Sequence, residues 1–347
     1  MNREAQILYE DLKVNLGNVV PDFELFYKAE IAVEINHLKK ERDAVILGHN
    51  YMEPVLYYSI PDFKGDSLDL SRKAAQTDHS VVVFCGVRFM AETAKILNPT
   101  KTVLLPSEKA GCSLAASITA EDVRALRRKY PGVPVVSYVN TYADVKAESD
   151  ICCTSSNAIA VVESLNSETV IFLPDQYLAS NVARQTGKHI IFPTLSGAAV
   201  DSKDLLDVQM IGWHGKCEVH EKFTVEDIQA VRQQFPDVIV LTHPECSPEV
   251  VAASDFSGST NAMIKFVRES NKPHYLVLTE CAMGDNIAAA NPDKDMLRLC
   301  MVRCPHMNTI TMENVRDALL CNRYVIDVPE PIRIRAYNAV KRMIEIG

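Results

Sequence analysis

Residues 118–132, ITAEDVRALRRKYPG, and residues 223–237, FTVEDIQAVRQQFPD, share Thr, Glu, Asp, Ala, Arg and Pro in register, six identities in fifteen positions. Each begins with a Thr suited to cap a helix and places acidic side chains in the first turn, where they meet the positive end of the helix dipole. Each then enters a β-branched run: Val135-Val-Ser-Tyr-Val-Asn140 in one copy and Val240-Leu-Thr-His-Pro-Glu245 in the other. A third version, Ala44-Val-Ile-Leu-Gly-His-Asn-Tyr51, follows a helical pattern over 29–42. Upstream of the helix start the repeat carries a cysteine. Cys112, Cys217 and Cys304 each stand seven residues before a Thr-x-Glu-[Asp/Asn]-[Val/Ile] start, at Thr119, Thr224 and Thr311. Self-similarity of this kind means that one supersecondary unit has been used three times.

Working outward, His49, Tyr138 and His243 share one repeat position, and Tyr51, Asn140 and Glu245 share the position two further on. They stand where apolar runs end, and ligands of α/β sheets bind at the carboxyl ends of parallel strands. Further strands are expected at 81–85, 102–105, 151–153, 169–173, 189–192, 208–213 and 275–279, with helical patterns between them, and that alternation implies parallel sheets. The expected fold is α/β: three homologous α/β units with parallel sheets arranged about a pseudo-threefold axis, with the active site at the centre. The units span 28–116, 117–222 and 223–329; a helix over 1–27 and another over 330–347 pack on the first. From strand exit to cysteine is 63 residues in the first unit (His49 to Cys112), 79 in the second (Tyr138 to Cys217) and 61 in the third (His243 to Cys304). The excess in the second is assigned to an insertion at about 192–210, read equally as surface decoration or as a lid.

Composition narrows the function. The 347 residues carry 36 basic and 45 acidic side chains, a net charge of -9, which argues against a sequence-independent nucleic-acid binder with its basic stripe. Hydrophobic residues at 47% and a mean hydropathy of -0.03 describe an ordinary soluble protein. The N-terminal stretch MNREAQILYEDLKVNLGNVVPD is charged throughout and lacks the apolar core of a signal peptide. The most apolar stretches, such as 151–162, are too short and polar to span a bilayer. A cytoplasmic protein binding neither nucleic acid nor membrane is therefore expected. In that reducing setting its ten cysteines are small buried hydrophobes, metal ligands or reactive thiols.

The repeat separates the ten. Three equivalent loops that converge deliver three sulfurs to one place, which suits Zn²⁺ with a fourth ligand, or an iron–sulfur cube. A four-iron cluster on three thiolates leaves one iron open as a Lewis acid. The plainer alternative is that the repeat cysteines are inherited packing residues. Cys85, Cys152 and Cys153 lie in apolar runs, and Cys246, Cys281, Cys300 and Cys321 lack repeat partners; all seven are read as packing residues. Cys300 and Cys304, four apart, would sit on neighbouring turns of a helix, where a redox pair is a weaker option.

Two further constellations follow the repeat. Gly65-Asp66-Ser67, Thr154-Ser155-Ser156-Asn157 and Gly258-Ser259-Thr260-Asn261 each open a helix 15 to 18 residues after the polar strand exits. Taken singly each is an ordinary cap; three at equivalent positions form a convergent anion site of hydroxyls and free N–H groups. His49, Tyr51, Tyr138, Asn140, His220, His243 and Glu245 form an acid–base set, with His220 three residues beyond Cys217.

The chain resembles the quinolinate synthase family, the iron–sulfur enzymes of de novo NAD biosynthesis. The matching segments include GHNYMEP at 48–54, GDSLDLSRKAA at 65–75, FCGVRFMAETAKILNP at 84–99, GCSLA at 111–115, SYVNTYADVKAESD at 137–150 and CCTSSNA at 152–158. They continue with FLPDQYLASNVARQTGK at 172–188, WHGKCEVHEKF at 213–223, LTHPEC at 241–246, GSTNAM at 258–263 and CPHM at 304–307. The resemblance implies that Cys112, Cys217 and Cys304 hold a [4Fe-4S] cluster whose fourth iron is open to water or substrate. It implies condensation of iminoaspartate with dihydroxyacetone phosphate to quinolinate, with loss of phosphate and two waters; whether iminoaspartate is handed over in a transient contact with an aspartate oxidase stays open. It gives His49, Ser67, Met90, Tyr138, Asn140, Ser155, His220, His243, Glu245, Ser259 and Thr260 as substrate-binding, with Tyr51 beside them in the pocket. Catalytic candidates are Tyr138, Glu245, His49, Tyr51, His220 and His243. Some members carry C-x-x-C-x-x-C at the last ligand; here the segment is Arg-Leu-Cys300-Met-Val-Arg-Cys304-Pro, so a disulfide switch is not carried over. Two rival readings stay open: another three-cysteine iron–sulfur hydro-lyase, and a non-catalytic iron–sulfur or zinc sensor.

Overall fold

The structure, a computed structural model, describes residues 2–194, 207–297, 299 and 302–347. The chain starts with α1 (Arg3–Leu16), then runs through α2 (Asp22–Glu41), β1 (Ala44–His49), α3 (Pro54–Ser59), β2 (Phe63–Gly65), α4 (Ser67–Gln76), β3 (Val81–Cys85), α5 (Arg88–Leu97) and β4 (Thr102–Leu104). The next set is α6 (Ala120–Lys129), β5 (Val135–Tyr138), α7 (Ala143–Lys146), β6 (Ile151–Cys153), α8 (Ala158–Ser164), β7 (Val170–Leu173), α9 (Gln176–Thr186), β8 (Ile190–Ile191) and β9 (Met210–Ile211). The last set is α10 (Val225–Gln234), β10 (Ile239–Thr242), α11 (Pro248–Ala253), β11 (Phe256–Ser257), α12 (Thr260–Glu269), β12 (His274–Leu278), α13 (Cys281–Ala290) and β13 (Asp295–Leu297). Two helices, α14 (Met312–Cys321) and α15 (Glu330–Glu345), complete the chain.

The fold is α/β with three separate parallel sheets, ordered β2-β1-β3-β4, β6-β5-β7-β9-β8 and β11-β10-β12-β13. Central strands such as β1, β3 and β7 are buried along their whole length, which is why they read as unbroken apolar runs. The same local devices recur in each sheet. Asp62, Asp150 and Asp255 accept from the backbone N–H of Ile46, Val135 and Val240 at 2.8, 2.7 and 2.8 Å, and each meets a cation from the preceding helix, Lys39, Arg127 or Arg232. Capping boxes at Thr119/Asp122, Thr224/Asp227 and Thr311/Asn314 open α6, α10 and α14. Whereas α6 and α10 lead into the second and third sheets, α14 returns to pack on α2 and β3 of the first, in keeping with a pseudo-threefold arrangement.

Three expectations change. The helix expected over 1–27 is divided: α1 stops at Leu16, and α2 starts after Pro21, which has no N–H to continue a preceding helix. The extra length of the second set begins two residues earlier than 192, because β8 is an additional outermost strand beside β9, which takes the place that β4 and β13 take in the other sheets. Of the 192–210 insertion, residues 195–206 lie outside the described residues, as does Cys300. Third, Cys321 is exposed at the end of α14 rather than packed; Cys85, Cys152, Cys153, Cys246 and Cys281 are buried. The C-terminal helix α15 sits at a junction, against α4 and α5 on one side and β6 and α7 on the other.

Candidate active site

The exits of β1, β5 and β10 meet in one cavity. It is lined by His49, Tyr51, Ser67, Met90, Tyr138, Asn140, Ser155, His220, His243, Glu245 and Thr260, together with Cys112, Cys217 and Cys304. These residues come from all three sets, and polar bonds between sets hold it together: Asn50 Nδ2 donates to Thr260 Oγ1 at 2.8 Å, Ser156 Oγ to Asp66 Oδ2 at 2.7 Å, and Asn140 Nδ2 to Glu245 Oε1 at 3.2 Å. Ser259 is not part of this lining. Its hydroxyl accepts from Ala262 N at 3.3 Å as the cap of α12, and it lines a neighbouring groove, while Thr260 takes the cavity position.

The three cysteine loops are copies of one another. A backbone N–H three residues on approaches each sulfur: Ala115 to Cys112 and Met307 to Cys304, both at 3.5 Å, and His220 to Cys217. Four residues on, Ala116, Glu221 and Asn308 donate to the cysteine carbonyls at 3.0, 3.0 and 3.1 Å. Without a metal, burial pushes the Cys112 thiol up to about 12 and that of Cys304 to about 11, and Cys217 rises well above its usual range. Loading a metal must therefore release protons.

Beside Cys217, Glu245, 3% exposed, organises the acid–base groups. His220 Nδ1 lies 2.7 Å from Glu245 Oε2, and His243, stacked on His220 with ring centroids 4.6 Å apart, has Nδ1 at 3.9 Å. Burial would raise Glu245, but His220, His243 and Tyr138 hold it down at about 2, so it is a carboxylate at neutral pH. Burial and Glu245 together push the phenols of Tyr138 and Tyr51 well above 10, keeping both protonated. Burial lowers His49 to about 4 and His243 to about 3, so both are neutral.

Some participants were not found from the sequence. Thr279 Oγ1 lies 2.6 Å from Tyr51 OH and 2.9 Å from His220 Nε2. Tyr51, Thr279 and His220 thus form a run of polar groups that ends 2.7 Å from Glu245. Asp175 and Glu280 occupy one repeat position, two residues past the ends of β7 and β12. Asp175 accepts from the backbone N–H of Cys217, and Glu280 Oε1 from that of Cys304 at 3.4 Å. Their repeat spacing is a signal that would have found them; the first set has Val87 there. Lys146 is wholly buried, donating to the carbonyls of Val139, at 2.9 Å, and of Thr141, on either side of Asn140.

A cavity at the strand exits of an α/β fold, with three equivalent thiols facing a buried carboxylate–histidine–tyrosine cluster, defines a metal- or cluster-dependent enzyme of acid–base chemistry. Comparison with known proteins gives the particular family. Residues 33–345 match the family model described as quinolinate synthetase A protein. The chain is 54% identical over 309 residues to quinolinate synthase 2 of Mesorhizobium japonicum, covering 89% of each chain. It is 47% identical over 344 residues to the quinolinate synthase of Sinorhizobium medicae, covering 99% of this chain and 89% of that one. Against the Xylella fastidiosa (strain 9a5c) quinolinate synthase identity is 51% over 312 residues, 90% of this chain and 86% of the other. The chain belongs to the quinolinate synthase family and is an enzyme of that kind. Among the described residues no helix is long and apolar enough to cross a membrane.

Proposed function

We propose that the chain makes quinolinate from iminoaspartate and dihydroxyacetone phosphate, losing phosphate and two waters, with a [4Fe-4S] cluster held by Cys112, Cys217 and Cys304. The observation that carries this is the convergence of three copied cysteine loops on one cavity that also holds Glu245, His220 and Tyr138. The donor set fits the group: three sulfurs of matching local geometry, each with an N–H directed at it, which is the hydrogen bonding that thiolates of such clusters use. Cys217, His220 and Glu245 also approach one another closely enough to hold a single metal ion. Of these three only Cys217 belongs to the repeat of cysteine loops, which favours the three-sulfur set. When bound, the cluster supplies a Lewis acid with one coordination position free of protein.

The protein's own groups do the rest. Ser67, Ser155 and Thr260 are neutral donors for carboxylate or phosphate, in keeping with the chain's net charge of -9. Glu245, ionised and braced by Asn140, takes a proton from the bound substrate, with Tyr51, Thr279 and His220 as the polar groups beside it. Tyr138, kept protonated beside Glu245, donates to a leaving oxygen and recovers its proton from Glu245. Neutral His49 and His243 act as hydrogen-bonding groups rather than as cations. We place the enzyme in the cytoplasm; a transient contact with an aspartate oxidase would shorten the life of free iminoaspartate.

Anaerobic turnover with both substrates, with electron paramagnetic resonance before and after adding quinolinate, tests the reading. Quinolinate formation and a ligand-dependent cluster signal are expected. A fully loaded cluster that makes no quinolinate would point instead to a hydro-lyase with another acid substrate.

A further inference from the structure

The residues that follow the three cysteines meet one another. Ser113 Oγ donates to Glu218 Oε1 at 2.8 Å, and His306 Nε2 lies 3.1 Å from the same oxygen. Ser113 follows Cys112, Glu218 follows Cys217 and His306 is two residues past Cys304, so one carboxylate oxygen ties together loops from all three sets. All three residues line the cavity together with the cysteines. They are nearer water than the acid–base groups: Glu218 and His306 have side chains 34% and 30% exposed, and the three cysteines are only partly buried, whereas Glu245 and His220 are 3% and 2% exposed.

We infer that Ser113, Glu218 and His306 form a latch across the mouth through which the cluster is loaded and lost. The inference rests on the cluster reading above. The reason lies in connectivity. Within each loop the backbone bonds are local, and the sets they belong to are joined elsewhere by Asn50–Thr260, by Asn140–Glu245 and along α14. Trp213 Nε1 donates to Ser117 O at 3.1 Å, a second tie between the first two loops, but Glu218 is the hub that reaches all three, so removing it takes away the side-chain tie of the Cys304 loop to the other two without disturbing any strand. Glu218 also faces the thiols closely enough to raise that of Cys304. A carboxylate beside thiolates is electrostatically unfavourable, and its placement is rational if its two donors hold it in a structural bond. Gln at 218 would keep an acceptor oxygen for Ser113 and His306 without the charge; Ala would remove the hub.

The test uses the full chain, loaded anaerobically, with cluster absorbance followed after adding a ferrous chelator or air. Glu218→Ala should load a full cluster faster than the unmodified protein and lose it roughly fivefold to thirtyfold faster, as expected for loss of one acceptor that serves two donors. Glu218→Gln should stay within about twofold, and Ser113→Ala should fall between. In the metal-free protein, amide hydrogen exchange of 110–114 and 304–308 should quicken in Glu218→Ala, with 44–49 unchanged. Loss rates and exchange in Glu218→Ala equal to those of the unmodified protein would overturn the latch. If no form of the protein, unmodified included, takes up a cluster, the cluster assignment fails, and the exchange measurement alone then decides whether the three loops are tied.

Discussion

Glu245 and His220 stand 2.7 Å apart, carboxylate to imidazole, although 25 residues separate them in sequence and they reach the cavity from a strand exit and a cysteine loop. Both are almost wholly buried, and Cys217, within 4.8 Å of both, joins the pair to the cysteine loops. Much of the expected behaviour of variants follows from that junction.

The three cysteines should act as a unit. Replacing any of Cys112, Cys217 or Cys304 by Ser should abolish cluster binding and activity together, read by absorbance, iron content and turnover. Cys85→Ser, at a buried strand position, should keep the cluster. A full four-iron signal in Cys217→Ser would remove that residue from the ligand set.

Tyr138→Phe and Glu245→Gln should keep the cluster and lose most turnover. General acid–base groups contribute roughly 10²- to 10⁴-fold, so a loss of at least about a hundredfold in kcat is expected for each. Near-normal kcat in Tyr138→Phe would show that the proton it carries is not used.

Thr279 should matter without touching the cysteines. Thr279→Val removes the hydroxyl between Tyr51 and His220 and should lower kcat about tenfold to a hundredfold, whereas Thr279→Ser should restore most of it. Cluster content should be the same in both. Equal turnover of the Val and Ser variants would mean that the hydroxyl at 279 is not used.

The buried histidines set a sign for pH. His49 falls from 6.5 to about 4 and His243 to about 3, chiefly through burial. Between about pH 6.5 and pH 4 the unfolded chain binds more protons at His49 than the folded one, so stability falls as pH falls through that window. Glu280, raised by burial to about 7, works in the opposite direction, its contribution being lost as pH rises toward 7. A comparison isolates the histidine: going from pH 7 to pH 4.5, His49→Gln should lose less stability than the unmodified protein, by ~2 kcal/mol. Thermal melts of the metal-free protein at the two pH values measure it; parallel shifts would mean that His49 is charged in the folded state.

What the sequence determined by itself is what is local and repeated. Three cysteines at fixed distance from a Thr-capped helix, and polar residues closing three apolar runs, are readable because caps, strand exits and turns depend on neighbours a few residues away. Hence the three parallel sheets, the convergence of Cys112, Cys217 and Cys304, and the places of His49, Tyr138 and His243 were all legible. Pro21, which has no N–H, marks the division of the N-terminal helix in the sequence itself.

Only the tertiary structure decided which side chain meets which across the sets. Thr279 reaches Tyr51 over 228 residues, and Ser113 reaches Glu218 over 105, distances at which no pattern of spacing carries pairing information. The choice of Thr260 over Ser259 for the cavity turns on the first turn of α12, where one residue of difference rotates a side chain about 100° around the helix axis. Buried Lys146, Asp175 and Glu280 look like surface charges in the sequence. Their roles appear only when the fold supplies the carbonyls and N–H groups that make their burial tolerable.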